Sequence, residues 1–265
     1  MTSPPEVRRR PAPQAPGGFT YGDYLLLPQL LDAQRPLAVP PVHEELLFIV
    51  THQAYELWFR LLLHELTAAR DAMLAGEAER PWALLTRCHA VERLMLAQMD
   101  VLDTLSPAAF AQLRPALGET SGFQSVQYRE IEFLSGWPDR RYLSAGLPVQ
   151  ERARLQRRLD EPTLWDGFLA ALTAAGHDVS DPERRAGVLV GLARAASDRA
   201  GLWRLAEALL DHDQSWSLWR GRHALLVERQ IGVKVGTAGS TGASYLRSRG
   251  DRHFYPDLWE VRSRL

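Results

Sequence analysis

The chain has 265 residues, 46% of them hydrophobic and 24% charged, with a formal net charge of −1. That composition supports a sizeable core and lacks the basic excess of a duplex-binding surface, so no nucleic acid is expected as a partner. The single cysteine, Cys88, excludes an internal disulfide framework and suits a reducing cytoplasm. No apolar run reaches the ~20 residues of a membrane span, so no membrane is expected either.

Residues 1–18 carry Pro4, Pro5, Pro11, Pro13 and Pro16 and end in Gly17-Gly18. Such a segment cannot build a helix and has little to bury, which predicts a disordered tail. Arg8, Arg9 and Arg10 are followed by no apolar segment, so the tail does not read as a secretory signal. Order is expected from Phe19, and residues 19–265 read as one domain. Leu25–Leu31 predicts one short helix with Pro28 near its first turn. From His43 to about Leu74, Leu46, Leu47, Val50, Ala54, Leu57, Trp58, Leu61 and Leu62 recur at three- and four-residue steps. That periodicity predicts a long helix, stopped near Gly76. A second fits Trp82 to Leu105. Ser106-Pro107 then opens a helix in cap-then-proline order, closed at Gly118. Residues 123–135 read as helix, stopped by Gly136-Trp137-Pro138. Residues 147–210 alternate Leu/Ala with Arg/Glu at helical spacing and break around 176–182. A last long helix covers about 201–231. Period-2 alternation is nearly absent, so the expected fold is all-α, a single helical bundle.

Candidate chemistry begins with what is missing. Eight histidines are present, but no His-x3-His or His-Glu-x2-His pair, which argues against a zinc hydrolase helix. There is no Gly-x-Ser-x-Gly elbow, and the glycines of 236–242 follow a helix rather than a strand. His52 lies four residues after Phe48, so the two share a helix face. An imidazole beside an aromatic ring suits a pocket that stacks a planar ligand, although an ordinary half-buried helix position is the plainer reading. Arg114 follows Phe110 by four residues on an apolar stripe with Leu117, and an arginine there needs a partner. A ligand carboxylate would supply one, as would a structural Asp or Glu. Tyr128 and Arg129 either line a pocket or pack a helix corner. The eight tryptophans read as core. His223 sits on an apolar run fourteen residues before the small, hydroxylated loop Thr237-Ala238-Gly239-Ser240-Thr241-Gly242. With Phe48 and His52, that layout points to a buried cofactor pocket.

Several of these pieces, in order, resemble the tryptophan 2,3-dioxygenase family. They are Tyr21-Gly22-Asp23-Tyr24-Leu25, the run from His43 through Phe48-Ile49-Val50-Thr51-His52-Gln53-Ala54-Tyr55-Glu56-Leu57-Trp58, and Ser121-Gly122-Phe123-Gln124-Ser125-Val126-Gln127-Tyr128-Arg129. Leu218-Trp219-Arg220-Gly221-Arg222-His223, Gly236-Thr237-Ala238-Gly239-Ser240 and Phe254-Tyr255-Pro256-Asp257-Leu258-Trp259-Glu260-Val261-Arg262 complete the match. The resemblance implies a haem b protein, active in the ferrous form, that is a cytoplasmic homotetramer built as a dimer of dimers. It implies cleavage of the indole C2–C3 bond of L-tryptophan by O2 to N-formylkynurenine, the chemistry of tryptophan catabolism. It places His223 as the proximal iron ligand and His52 on the distal side, hydrogen-bonding the indole N–H. It places Phe48 on the substrate ring, Arg114 on the substrate carboxylate, Thr237 on its ammonium, and Phe110 and Leu117 in the pocket wall. Tyr21 and Tyr24 would enter from a neighbouring subunit. The family's lid usually reads Gly-Thr-Gly-Gly, whereas this chain carries Ala238, which removes backbone freedom there. That departure keeps open an alternative: a relative in natural-product biosynthesis oxidising a β-methyl- or otherwise substituted tryptophan, as a monooxygenase giving an oxindole.

Overall fold

The computed structural model describes residues 19–77, 79–118, 120, 124–143, 147–195, 201–234, 236, 246–247 and 252–265. Among the described residues there is no β-strand, as the missing period-2 pattern predicts. The expected tail over residues 1–18 lies outside the described residues.

Two short helices, α1 (Tyr21–Leu25) and α2 (Leu27–Leu31), stand where one was expected. Thr20 starts α1 with a reciprocal cap: its Oγ1 accepts the Asp23 N–H at 3.2 Å, and the Asp23 carboxylate accepts the Thr20 N–H at 3.1 Å. Leu26 then takes φ 54°, a left-handed conformation costly for a residue with a Cβ, and this splits the run. Pro28 occupies the first turn of α2, as expected.

The long helices follow: α3 (Glu45–Leu74), α4 (Glu79–Leu102), α5 (Pro107–Leu117) and α6 (Val126–Leu134). Helix α4 ends three residues earlier than its periodicity suggests. The chain tightens there into turns, Thr104 N–H to Val101 C=O at 3.2 Å and Leu105 N–H to Leu102 C=O at 3.0 Å, ready for the Ser106 cap of α5. The middle third forms α7 (Val149–Asp160), α8 (Leu164–Ala174) and α9 (Pro182–Arg194). The break before α9 falls where expected. The break between α7 and α8 was not expected, although Thr163 and Asp166 form a second reciprocal cap there. Helix α10 (Leu202–Ile231) carries the C-terminal third, and α11 (Pro256–Val261) follows.

Helices α3, α4 and α10 make the main stack, with α8 and α6 laid on α3. Gly167 is what lets α8 approach: a Cβ there would lie 3.1 Å from the Arg70 carbonyl oxygen. One contiguous apolar cluster draws on residues from Tyr55 to Val261, with Leu62, Leu66, Met95, Phe168, Leu209 and Trp216 wholly buried. Cys88 sits inside it, fully enclosed on α4, and burial pushes its thiol well above the usual range.

The C-terminal segment is held to α10 through one buried carboxylate. Asp213 Oδ2 accepts the Phe254 N–H at 2.9 Å, the Tyr255 N–H at 3.1 Å and the Trp259 Nε1–H at 2.9 Å. Beside it, His212 joins Glu92 of α4 to Ser135 after α6. No described helix is long and apolar enough to cross a membrane.

Candidate active site

A cavity of about 490 Å³ opens between α3, α4, α6 and α10, within the range of small-molecule and cofactor sites. Its wall is mostly apolar. Tyr55 and Phe59 come from α3, Met99 and Leu102 from α4, Tyr128 from α6, and Trp219 and Leu226 from α10; Leu30 and Ala33 close one side. Two imidazoles face into it from different helices, His52 on α3 and His223 on α10. The fold thus brings to one cavity two histidines that are 171 positions apart in the sequence.

The proton on His52 is fixed by geometry. Its Nδ1 lies 2.7 Å from the Phe48 carbonyl oxygen, one turn back on α3. A carbonyl oxygen only accepts, so Nδ1 carries the hydrogen. Burial holds the imidazole pKa below its ordinary value, against the opposing pull of the Phe48 hydrogen bond and the Glu56 carboxylate. The ring is therefore neutral, and Nε2 offers a lone pair. The Phe48 ring centroid lies 4.1 Å from that of His52, which sets Phe48 beside the cavity, although neither it nor Phe110 is part of the cavity lining. Phe110 of α5 packs 6.2 Å from Phe48.

His223 differs. Burial, reinforced by the proximity of His52, lowers its pKa to about 4. None of the described hydrogen bonds engages its ring. A neutral, open imidazole in an apolar pocket is the state in which histidine ligates iron. The cavity's size, its apolar wall and this donor fit a haem, which His223 would hold.

The remaining polar groups brace the wall. Gln127 Nε2 donates to the Glu56 carboxylate at 2.8 Å and to its backbone carbonyl at 2.9 Å, tying α6 to α3. Arg129 pairs with Glu132 at 2.6 Å and lies over the Tyr142 ring at 3.8 Å. Tyr55 donates to the Met95 carbonyl at 2.8 Å, and burial pushes its phenol up to about 12.

Other expected site residues lie apart. Arg114 is half-buried and lines a smaller recess of about 340 Å³ with Ala111, Pro115, Gly118 and Gly236. That recess brings Arg114 beside the start of the small-residue loop; Thr237 and Ala238 themselves lie outside the described residues. Leu117 packs half-buried against the core. Tyr21 and Tyr24 are 75% and 71% exposed and do not line the cavity of their own chain. Tyr128 and Arg129 do line it, which decides their open reading in favour of a pocket. Sequence reasoning passed over Tyr55, Phe59, Met99 and Trp219, because aromatic and apolar residues at helical spacing read as core.

The chain matches the family model described as Tryptophan 2,3-dioxygenase over residues 10–145 and 173–265. It is 54% identical to a protein of Nocardioides sp. named Tryptophan 2,3-dioxygenase, covering 93% of this chain and 95% of that one. Proteins of the same name from Myxococcus xanthus and Pseudomonas aeruginosa are 39% and 40% identical, covering 94% and 93% of this chain and 90% of each relative.

Proposed function

The chain belongs to the tryptophan 2,3-dioxygenase family, and from that membership together with the cavity we infer how its residues carry out the reaction. It is a dioxygenase that opens the indole ring of L-tryptophan with O2, giving N-formylkynurenine. The observation that carries the assignment of roles is the pair His52 and His223, facing one apolar cavity from separate helices. Ferrous haem b supplies the oxygen chemistry when bound; everything else falls to the chain.

His223 would hold the iron through its neutral imidazole. His52 would accept the indole N–H at Nε2, since Nδ1 already spends its hydrogen on Phe48. It orients the ring rather than acting as an obligatory base. Phe48, Phe110 and Leu117 would form the wall against the indole, and Phe110 offers no hydroxyl to the substrate carboxylate. Arg114 would grip that carboxylate and Thr237 the ammonium, so that both charged ends are read. Excluding water is the task of the apolar wall. We further infer that residues 19–265 act as one catalytic domain in a cytoplasmic homotetramer, with Tyr21 and Tyr24 delivered to a neighbour's site. Their exposure, and that of Phe19 at 53%, supports that placement.

Turnover of L-tryptophan under labelled O2 tests the whole. Two labelled atoms in N-formylkynurenine are expected. A single labelled atom in an oxindole, or turnover of substituted tryptophans alone, would move the chain to the biosynthetic alternative, which the names of the relatives do not favour.

Two narrower results are expected. Arg114→Ala should raise KM for L-tryptophan by roughly 30- to 1000-fold, the equivalent of about 2–4 kcal/mol for a charge pair lost from a closed site, while haem content holds. Tryptamine, which has no carboxylate, should show almost none of that penalty; an unchanged KM for tryptophan removes Arg114 from the role. The acid limb of kcat/KM should also lie below pH 6.5. A lowered pKa keeps His52 neutral, and its Nε2 lone pair available, to a lower pH than for a free imidazole. An acid limb centred at or above 6.5 contradicts this role for His52.

A further inference from the structure

Behind His223 stands an aromatic column that the reaction, as described so far, leaves without a task. Trp216, Trp219 and His223 follow one another on α10 at three- and four-residue steps, so they share a face. The Trp219 indole lies against the His223 imidazole, with centroids 5.1 Å apart and planes 25° from parallel. Trp216, wholly buried, also packs near-parallel against Trp219, at 5.9 Å and 22°. Tyr128 of α6 flanks both, at 5.5 Å from Trp216 and 5.6 Å from Trp219. Tyr55 of α3 meets Trp219 edge-on at 5.8 Å and 79°, and its own hydroxyl is anchored on the Met95 carbonyl. The indole is thus held on several sides by rings from three helices.

Histidine ligands are ordinarily oriented by a hydrogen bond from their far nitrogen to a carboxylate or carbonyl. No such bond to His223 is made by the described residues, and the near-parallel indole is what meets the ring. We propose that Trp219 is the positioning residue for the axial imidazole: face-on contact with a clamped indole sets the rotation of the His223 ring. This rests on the haem reading above. The consequence is specific. A ring oriented by a hydrogen bond to an anion gains electron density, whereas one oriented by stacking stays a neutral imidazole. The device therefore fixes geometry without making His223 a stronger donor.

The test compares hemin-loaded parent, Trp219→Leu and Trp219→Phe, in the ferrous state, by the iron–imidazole stretching band in resonance Raman. Trp219→Leu should stay five-coordinate but show a shifted, broadened band, and should lose hemin to an apomyoglobin scavenger roughly 2- to 10-fold faster, the size of one aromatic contact. Trp219→Phe keeps a ring in place and should fall within about twofold of the parent. A second measurement avoids dependence on the leucine variant's folding. In His223→Gly, hemin uptake should be restored by added free imidazole, and adding Trp219→Phe should raise the imidazole concentration required less than adding Trp219→Leu does. A Trp219→Leu band unchanged in position and width, or an equal imidazole requirement in both backgrounds, overturns the proposal and leaves the haem reading standing. A parent that takes up no hemin overturns the haem reading itself.

Discussion

The His223→Ala protein should fold normally and remain colourless after reconstitution with hemin. Alanine is the best helix former, so α10 loses nothing in propensity. The imidazole makes no hydrogen bond to the described residues that would be left broken, and its stacking contact with Trp219 is worth only about 0.5–1.5 kcal/mol. Haem binding, by contrast, loses its axial donor. Removing even an outer partner of a metal ligand costs roughly 10–100-fold, so loss of the ligand itself should exceed that. Haem per chain after gel filtration and the far-ultraviolet dichroism of the same sample read the two halves separately. A normal ferrous spectrum in the variant would assign the iron to another residue.

Asp213→Ala should be the most destabilising single change away from the site. The carboxylate is wholly enclosed, and one of its oxygens receives the N–H groups of Phe254, Tyr255 and Trp259. Removing it leaves those buried donors without an acceptor, at about 1–3 kcal/mol each before relaxation. A net loss of about 3–5 kcal/mol is expected once relaxation offsets part of that sum. Urea titration should show a lower midpoint with an unchanged slope. The damage should also reach the cavity. The Arg252 carbonyl, in the same segment, accepts from Arg220 at 2.6 Å, and Arg220 lines the cavity one turn before His223. Weakened hemin retention in Asp213→Ala is therefore expected; a loss below about 1 kcal/mol would mean that water takes over the three donors.

Much of this was legible beforehand, for identifiable reasons. The long helices were readable because their apolar stripes keep a 3.6-residue period and because Ser106-Pro107 and Gly118 punctuate the chain. The division at Leu26 was not, since nothing in a run of leucines announces a left-handed turn. The α7–α8 break was readable only through Thr163 and Asp166, a local cap hidden inside an otherwise continuous helical pattern. In the site, His52 and His223 took their roles from the family resemblance, because a lone histidine on a helix reads first as an ordinary packed position. Tyr55, Phe59 and Trp219 were passed over, because a residue that packs a core and one that lines a cavity in that core obey the same periodicity. Arg114 and Gly236 are far apart in sequence, and only the fold brings them to one recess.

The enclosure of Cys88 has a practical side. A protein that handles oxygen carries its one ionisable sulfur where burial keeps it protonated. Its folded form should therefore need no reducing agent in storage. Alkylating reagents should modify it only when the bundle opens as a whole, which makes the rate of that reaction a direct gauge of how often it does so.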